Sequence, residues 1–213
     1  MQEPPPRPRE VPSLPRAERR DKVRNREKVL KAAAELFASE SVEHTTIDEI
    51  ARRAGVGVGT VYRGFCDKGG LVAAILDERE RHLQGQILSG PPPLGPGAPP
   101  DERIRAFLEA LSKLVESSYE LLLVSENHTP GARYRIGSYA AWRLHLASLI
   151  RDTTGSTHDP ELLADAQLAP LAADLYRHQR RELGVSAKRI RDTLIRLADA
   201  AATADAPPRT HVA

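Results

Sequence analysis

Between residues 45 and 68 the chain sets out hydroxyls, a phenol and cations at intervals that suit a phosphate backbone and the base edges beside it: Thr46, Thr60, Tyr62, Arg63 and Lys68. Thr46 and Tyr62 can donate to phosphate oxygens, and Lys68 stands at a helix start, where the helix dipole also favours an anion. The planar fork of Arg63 matches the O6 and N7 acceptors of guanine, and it suits a phosphate equally well; both roles stay open. Val58 and Gly59 lie at or near the same edge, and Val58 offers an apolar contact of the kind a thymine methyl accepts. For Tyr62 the alternative is a packing aromatic.

Other chemistries fare worse. Gly55, Gly57 and Gly59 follow no strand, lack the third spacing of a dinucleotide fingerprint, and are not followed by Gly-Lys-Ser/Thr, so a tight turn explains them. Cys66 is the single cysteine, which excludes an internal disulfide and a cysteine-cluster metal site; a passive loop residue explains it better than a redox switch. His145 and His178 have no H-E-x-x-H context and no tight carboxylate cluster, so no metal or other cofactor is expected. With no nucleophile–base pair either, no enzyme is expected.

The elements that position the first group are two short helices joined by a turn. Thr46 can cap the first helix, with Glu49 three residues later as a capping box requires. Ile47, Ile50, Ala51 and Ala54 share one face, Gly55 supplies a left-handed C-cap, and Val56 can plug the angle between the helices. The second helix, 58–64, buries Val61 and Phe65 and leaves Thr60, Tyr62 and Arg63 outside. A helix-turn-helix of this kind lays its second helix in the DNA major groove.

The segment resembles the DNA-binding domain of the TetR family of bacterial transcriptional regulators. The likeness rests on Thr45-Thr46-Ile47, Ile50-Ala51, Ala54-Gly55-Val56, Gly59-Thr60-Val61-Tyr62, Phe65 and Lys68, with Ala33, Leu36 and Phe37 on the preceding helix. It covers about residues 24–80. The chain departs from the family pattern at Gly64, where His or Asn is usual, and at Val58, where Lys or Arg is common. Gly69-Gly70 replaces a Glu-Ala type pair, and Ser41-Val42 a Gly-aromatic pair. Beyond residue 80 the resemblance implies an all-helical regulatory domain that binds a small-molecule effector and dimerises.

Around this segment the chain reads as all-α: an N-terminal three-helix head joined to a C-terminal helical ligand-binding and dimerisation bundle. Residues 1–20 hold six prolines and almost no apolar side chains, the mark of a disordered basic arm. The head is expected over 21–66, the regulatory and dimerisation domain over 67–203, and a disordered tail over 204–213. Formal net charge is only +2, but residues 1–65 carry 13 Lys/Arg against 10 Asp/Glu, and the excess is concentrated between Arg7 and Lys31, where phosphate neutralisation would use it. No apolar run reaches the length of a membrane span and no signal peptide is recognisable, so a cytoplasmic protein is expected.

Periodicity predicts helices over 21–39, 67–88, 102–125, 133–152, 160–183 and 186–202. Asp101 and Ser186 are expected to cap the third and last of these, and Pro170 to kink or split the fifth. An effector pocket is expected among the middle helices, with Tyr119, Asn127, His128, Tyr139, Trp142, His145, Leu149 and Tyr176 as its candidates. The resemblance implies a four-helix dimer interface from the last two long helices. Leu162, Leu163, Leu168, Leu171, Leu175, Ile190, Leu194, Ile195 and Leu197 are available for it, or for closing the monomer's own core.

The function these observations point to is a DNA-binding regulator, a dimeric repressor released from a palindromic double-stranded DNA operator by a small-molecule effector. The alternative is a small helical ligand-binding protein or enzyme that carries a vestigial DNA-binding head.

Overall fold

The computed structural model describes residues 16–126, 131–135, 137–154 and 159–204 of the 213-residue chain. Among them there are helices and turns but no strand, so the all-α expectation holds. The chain separates into two compact units, one ending at Asp67 and one beginning at Lys68.

The first unit contains α1 (Arg16–Glu40), α2 (Ile47–Ala54) and α3 (Val58–Phe65). Helix α1 starts earlier than the sequence predicts: residues 16–20, assigned to the disordered arm, are helical, because the last proline of that arm is Pro15 and nothing after it breaks a helix. The rest of the expected arm lies outside the described residues. Val29, Leu30, Ala33, Leu36 and Phe37 of α1 meet Ile50, Ala51 and Ala54 of α2 and Val61 and Phe65 of α3 in one buried core. Between α1 and α2, Ser41 is left-handed at φ 77° and its carbonyl accepts from Thr45 Oγ1 at 2.8 Å, with Thr45 itself buried.

The second unit contains α4 (Lys68–Ser89), α5 (Pro100–Glu126), α6 (Ala132–Arg135), α7 (Gly137–Thr154), α8 (Pro160–Leu168), α9 (Ala173–Arg177) and α10 (Ala187–Ala204). Helix α5 runs through its centre, packed by α4, α7, α9 and α10. Phe107, Leu108, Leu111, Leu146, Leu168, Leu171, Tyr176 and Leu194 form the core, all almost fully buried. Asp101 does not cap α5: the helix already begins at Pro100, the Arg103 N–H donates to Pro99 O, and the Asp101 carboxylate takes Arg105 instead. Ser186 does cap α10, its hydroxyl accepting from Arg189 N at 3.2 Å.

The helix expected over 160–183 is broken into pieces. Asp159 caps α8 and Pro160 occupies its first turn, but Pro170 removes an amide donor and crowds the preceding turn. The chain answers with a 3-10 turn, Ala169–Leu171, an extended residue at Ala172, then α9 and a π-helical turn, His178–Glu182. The groups freed at this break are met by a buried ion pair. Glu126 accepts from Ala173 N at 3.3 Å; Arg133 donates to Leu168 O and Leu171 O, each at 3.1 Å, and to Glu126 Oε1 at 3.0 Å. The two side chains are 11 % and 12 % exposed. They hold α5, α6, α8 and α9 around a kink that would otherwise leave backbone groups unpaired.

Candidate nucleic-acid interface and body cavity

In the head, the capping box forms as the sequence predicts. The Thr46 hydroxyl accepts from Glu49 N at 3.3 Å, and the Glu49 carboxylate accepts from Thr46 N at 2.8 Å. The Thr46 hydroxyl, and after it the Thr46 amide, hold the Glu49 carboxyl below the usual carboxylate range. Gly55 is left-handed at φ 66°, and its amide bonds back to α2. The cap also occupies Thr46, whose hydroxyl proton goes to Glu49 Oε2 at 2.7 Å. A phosphate bond from that hydroxyl therefore requires the proton to leave a carboxylate.

Helix α3 buries Val61 and Phe65 and turns Gly59, Tyr62 and Arg63 outward as one stripe, with Val58 and Thr60 half-buried at its edge. Tyr62 is 50 % exposed, which does not fit a purely packing aromatic. Arg63 Nη2 reaches Thr60 Oγ1 at 3.4 Å, so its guanidinium lies along the outer face of the helix. The Arg26 guanidinium sits 4.7 Å over the Phe65 ring, adding a cation at the end of α3 that sequence spacing did not reveal. Lys68 is the first residue of α4 and belongs to the second unit.

In the body, a cavity of about 180 Å³ is built by α4 (Ala73, Leu76, Asp77, Glu80), α5 (Leu122, Ser125, Glu126) and α6–α7 (Arg133, Ser138, Tyr139, Trp142). Of the sequence's pocket candidates, Tyr139 and Trp142 line it. Asn127 and His128 lie outside the described residues. The others stand elsewhere, and the reasons are physical. Tyr176 is a core phenol whose hydroxyl donates to Glu116, and burial and that bond push its ionisation up. Tyr119 packs on Tyr176 at 5.8 Å and accepts from Arg181 Nε at 2.9 Å. Leu149 is plain core. His145 meets Phe107 edge-on at 5.1 Å, and burial, helped by Arg103, pushes it down to about 4, so it is neutral at pH 7.

Sequence reasoning missed Asp77, Glu80, Glu126 and Arg133. The first two were legible in principle, since 73, 76, 77 and 80 form one helical stripe with two carboxylates among small and apolar residues. Glu126 and Arg133 were not, because only the tertiary fold brings them together. Tyr139 donates to Asp165 at 2.8 Å, and burial followed by this carboxylate pushes its phenol up to about 12.

The leucines expected at a dimer interface divide. Leu168, Leu171, Ile190 and Leu194 are buried within the body's own core, the second of the two roles open to them. Leu162, Leu175 and Leu197 remain exposed, at 64 %, 40 % and 52 %.

With this geometry in place, residues 29–75 match the family model for bacterial regulatory proteins of the tetR family. The head belongs to the TetR family. An HTH-type transcriptional regulator of Staphylococcus aureus (strain bovine RF122 / ET3-1) is 42% identical over 53 residues, which is 25% of this chain and 29% of that protein. The match thus spans under a third of the length of such curated relatives. Among solved structures, a TetR-like transcriptional regulator from Rhodococcus sp. RHA1 superposes with TM-score 0.60 at 25% identity over 87% of this chain and 96% of its own. A Saccharomonospora viridis regulator in complex with choline gives TM-score 0.65 at 20% identity, covering 82% and 95%. NalD of Pseudomonas aeruginosa, the secondary repressor of a multidrug efflux pump, gives 0.58 at 21%, covering 85% and 97%. The TetR-type fold therefore extends through the body, where no helix among the described residues is long and apolar enough to cross a membrane.

Proposed function

We propose that the chain is a dimeric, cytoplasmic transcriptional repressor that binds a palindromic DNA operator and is released from it by a small molecule held in the body. The observation that carries this reading is the outward stripe of α3, Gly59, Tyr62 and Arg63, on a helix fixed by the Thr46–Glu49 capping box and the Gly55 turn. Tyr62 and Lys68 serve as phosphate donors and Arg63 as the reader of guanine; Val58, Gly59 and Thr60 complete the groove surface. Thr46 acts on phosphate when its hydroxyl turns from Glu49.

A palindromic operator needs two heads about 34–36 Å apart, hence two chains. Leu162, Leu175 and Leu197 on α8, α9 and α10 are the apolar side chains free to cover such a partner. The effector weakens DNA binding by its differential affinity for a body conformation that sets the heads at another separation. NalD, named a repressor, and the choline complex of the Saccharomonospora viridis regulator lend support to both halves of this reading.

The test is selection from random duplex DNA with the purified protein at two salt concentrations. A recovered palindrome bound by two chains supports the proposal. Weak binding without a consensus, falling steeply with salt, refutes sequence-specific regulation.

A further inference from the structure

The cavity of the body is unbalanced in charge. Arg133, the one cation among the described residues that line it, is committed to Glu126 and to the carbonyls of Leu168 and Leu171. Glu126 is equally committed, to Arg133 and to the Ala173 amide. Asp77 and Glu80 are left with no cation among the described residues that line the cavity. Glu80 accepts from Ser138, and the charge that acts on it is another carboxylate, Asp77.

Opposite these carboxylates stand two aromatic side chains. Tyr139 and Trp142 are one turn apart on α7, both largely buried, and the Tyr139 ring already faces a cation, the Arg133 guanidinium at 5.2 Å. Aromatic walls and uncompensated carboxylates around one space attract an organic cation, through ring quadrupole and charge together. A neutral apolar guest would instead cover the half-buried Glu80 without supplying a countercharge, and an anion would be repelled by it and by Asp77. Size narrows the class further. An enclosed space of about 150 Å³ holds a molecule as large as benzene, and drug-sized pockets begin near 300 Å³. This cavity, at about 180 Å³, suits a small head group.

We propose that the cavity binds an organic ammonium cation, its charge set against Glu80 and Asp77 and its alkyl groups against Trp142, Tyr139 and Leu76. The inference rests on the effector reading above and names the chemical class of that effector.

Trp142 is the chain's single tryptophan, so intrinsic fluorescence reports on the cavity itself. The full-length protein is titrated at constant ionic strength with four probes: neopentylammonium, tetramethylammonium, neopentyl alcohol and pivalate. The first, third and fourth share a shape and differ in charge. Saturable change is expected with both ammonium ions, at least about tenfold tighter than with the alcohol, and none with pivalate. Glu80→Gln is expected to weaken ammonium binding about tenfold at an unchanged melting temperature. Should that variant fold poorly, the exposed Asp77→Asn carries the same expectation at a smaller ratio. Equal response to the alcohol, or preference for pivalate, overturns the ammonium class while leaving the effector reading in place. Silence toward both ammonium ions overturns the proposal. The effector reading is then judged separately, by whether uncharged or anionic compounds release the selected operator.

Discussion

Arg133→Ala tests the mechanical centre of the body. In the folded protein this guanidinium meets one carboxylate and two backbone carbonyls at the Pro170 break, and it is 11 % exposed. Removing it leaves Glu126, itself 12 % exposed, as a largely buried charge with no countercharge and only the Ala173 amide to meet it, and breaking such a pair costs about 3–5 kcal/mol. For a unit of this size each kcal/mol lowers the melting temperature by about 2–4 °C, so a drop of about 6–20 °C is expected by far-UV circular dichroism.

The pH dependence adds a second reading. Burial raises the Glu126 carboxyl, and Arg133 is the principal force that brings it back down. A carboxyl raised in the folded state contributes stability below its unfolded pKa and loses it as pH rises through the folded value. Without Arg133 the rise is larger, so the variant's penalty is expected to be greater at pH 8 than at pH 5. Glu126→Gln in the same chain should recover part of the loss, since the amide oxygen still accepts from Ala173 without a charge. A drop below about 3 °C, or a penalty that grows on acidification, would refute the account of this pair as the staple of the break.

Four further outcomes are expected. Arg63→Ala should lower affinity for the selected operator by about 1–3 kcal/mol at unchanged melting temperature, measured by fluorescence anisotropy; a loss shared by all sequences, with a shallower salt slope, would make Arg63 a phosphate clamp instead. Thr46→Ala should destabilise the head by about 0.5–2 kcal/mol in thermal melts while Thr46→Ser stays near wild type, and equal behaviour of the two would deny the cap its role. Leu175→Asp with Leu197→Asp should yield a folded monomer in sedimentation velocity, whereas a persistent dimer would place the interface elsewhere. Ammonium binding should weaken from pH 8 to pH 5, because the raised carboxyl of Glu80, facing Asp77, Glu126, Arg133 and Tyr139, takes up a proton that competes with the cation. Flat affinity across that range would remove Glu80 from the site.

Local structure in this chain was legible because its causes are local. A cap at Thr46 needs Glu49 three residues on, a left-handed stop at Gly55 needs only its missing Cβ, and the break at Pro170 needs only its missing amide. The same holds for the inward faces of α1 and α4, where Val29, Ala33 and Leu36 or Leu71, Ile75 and Leu83 recur at helical spacing and are all buried. The outward stripe of α3 follows from the same period, read from its other side.

Which surface an apolar residue meets was decided by the tertiary structure alone. Leu171 and Leu175 stand one turn apart in the sequence, yet the kink after Pro170 buries the first and leaves the second 40 % exposed. Periodicity gives a helix a face but not the neighbour that face will find. The cavity likewise draws on residues from Ala73 to Trp142, and the pair that seals the break joins Glu126 and Arg133 to Leu168, Leu171 and Ala173. Hydrogen bonds and desolvation act over a few ångströms of space, whatever the separation along the chain, so only the packed fold brings those groups into reach.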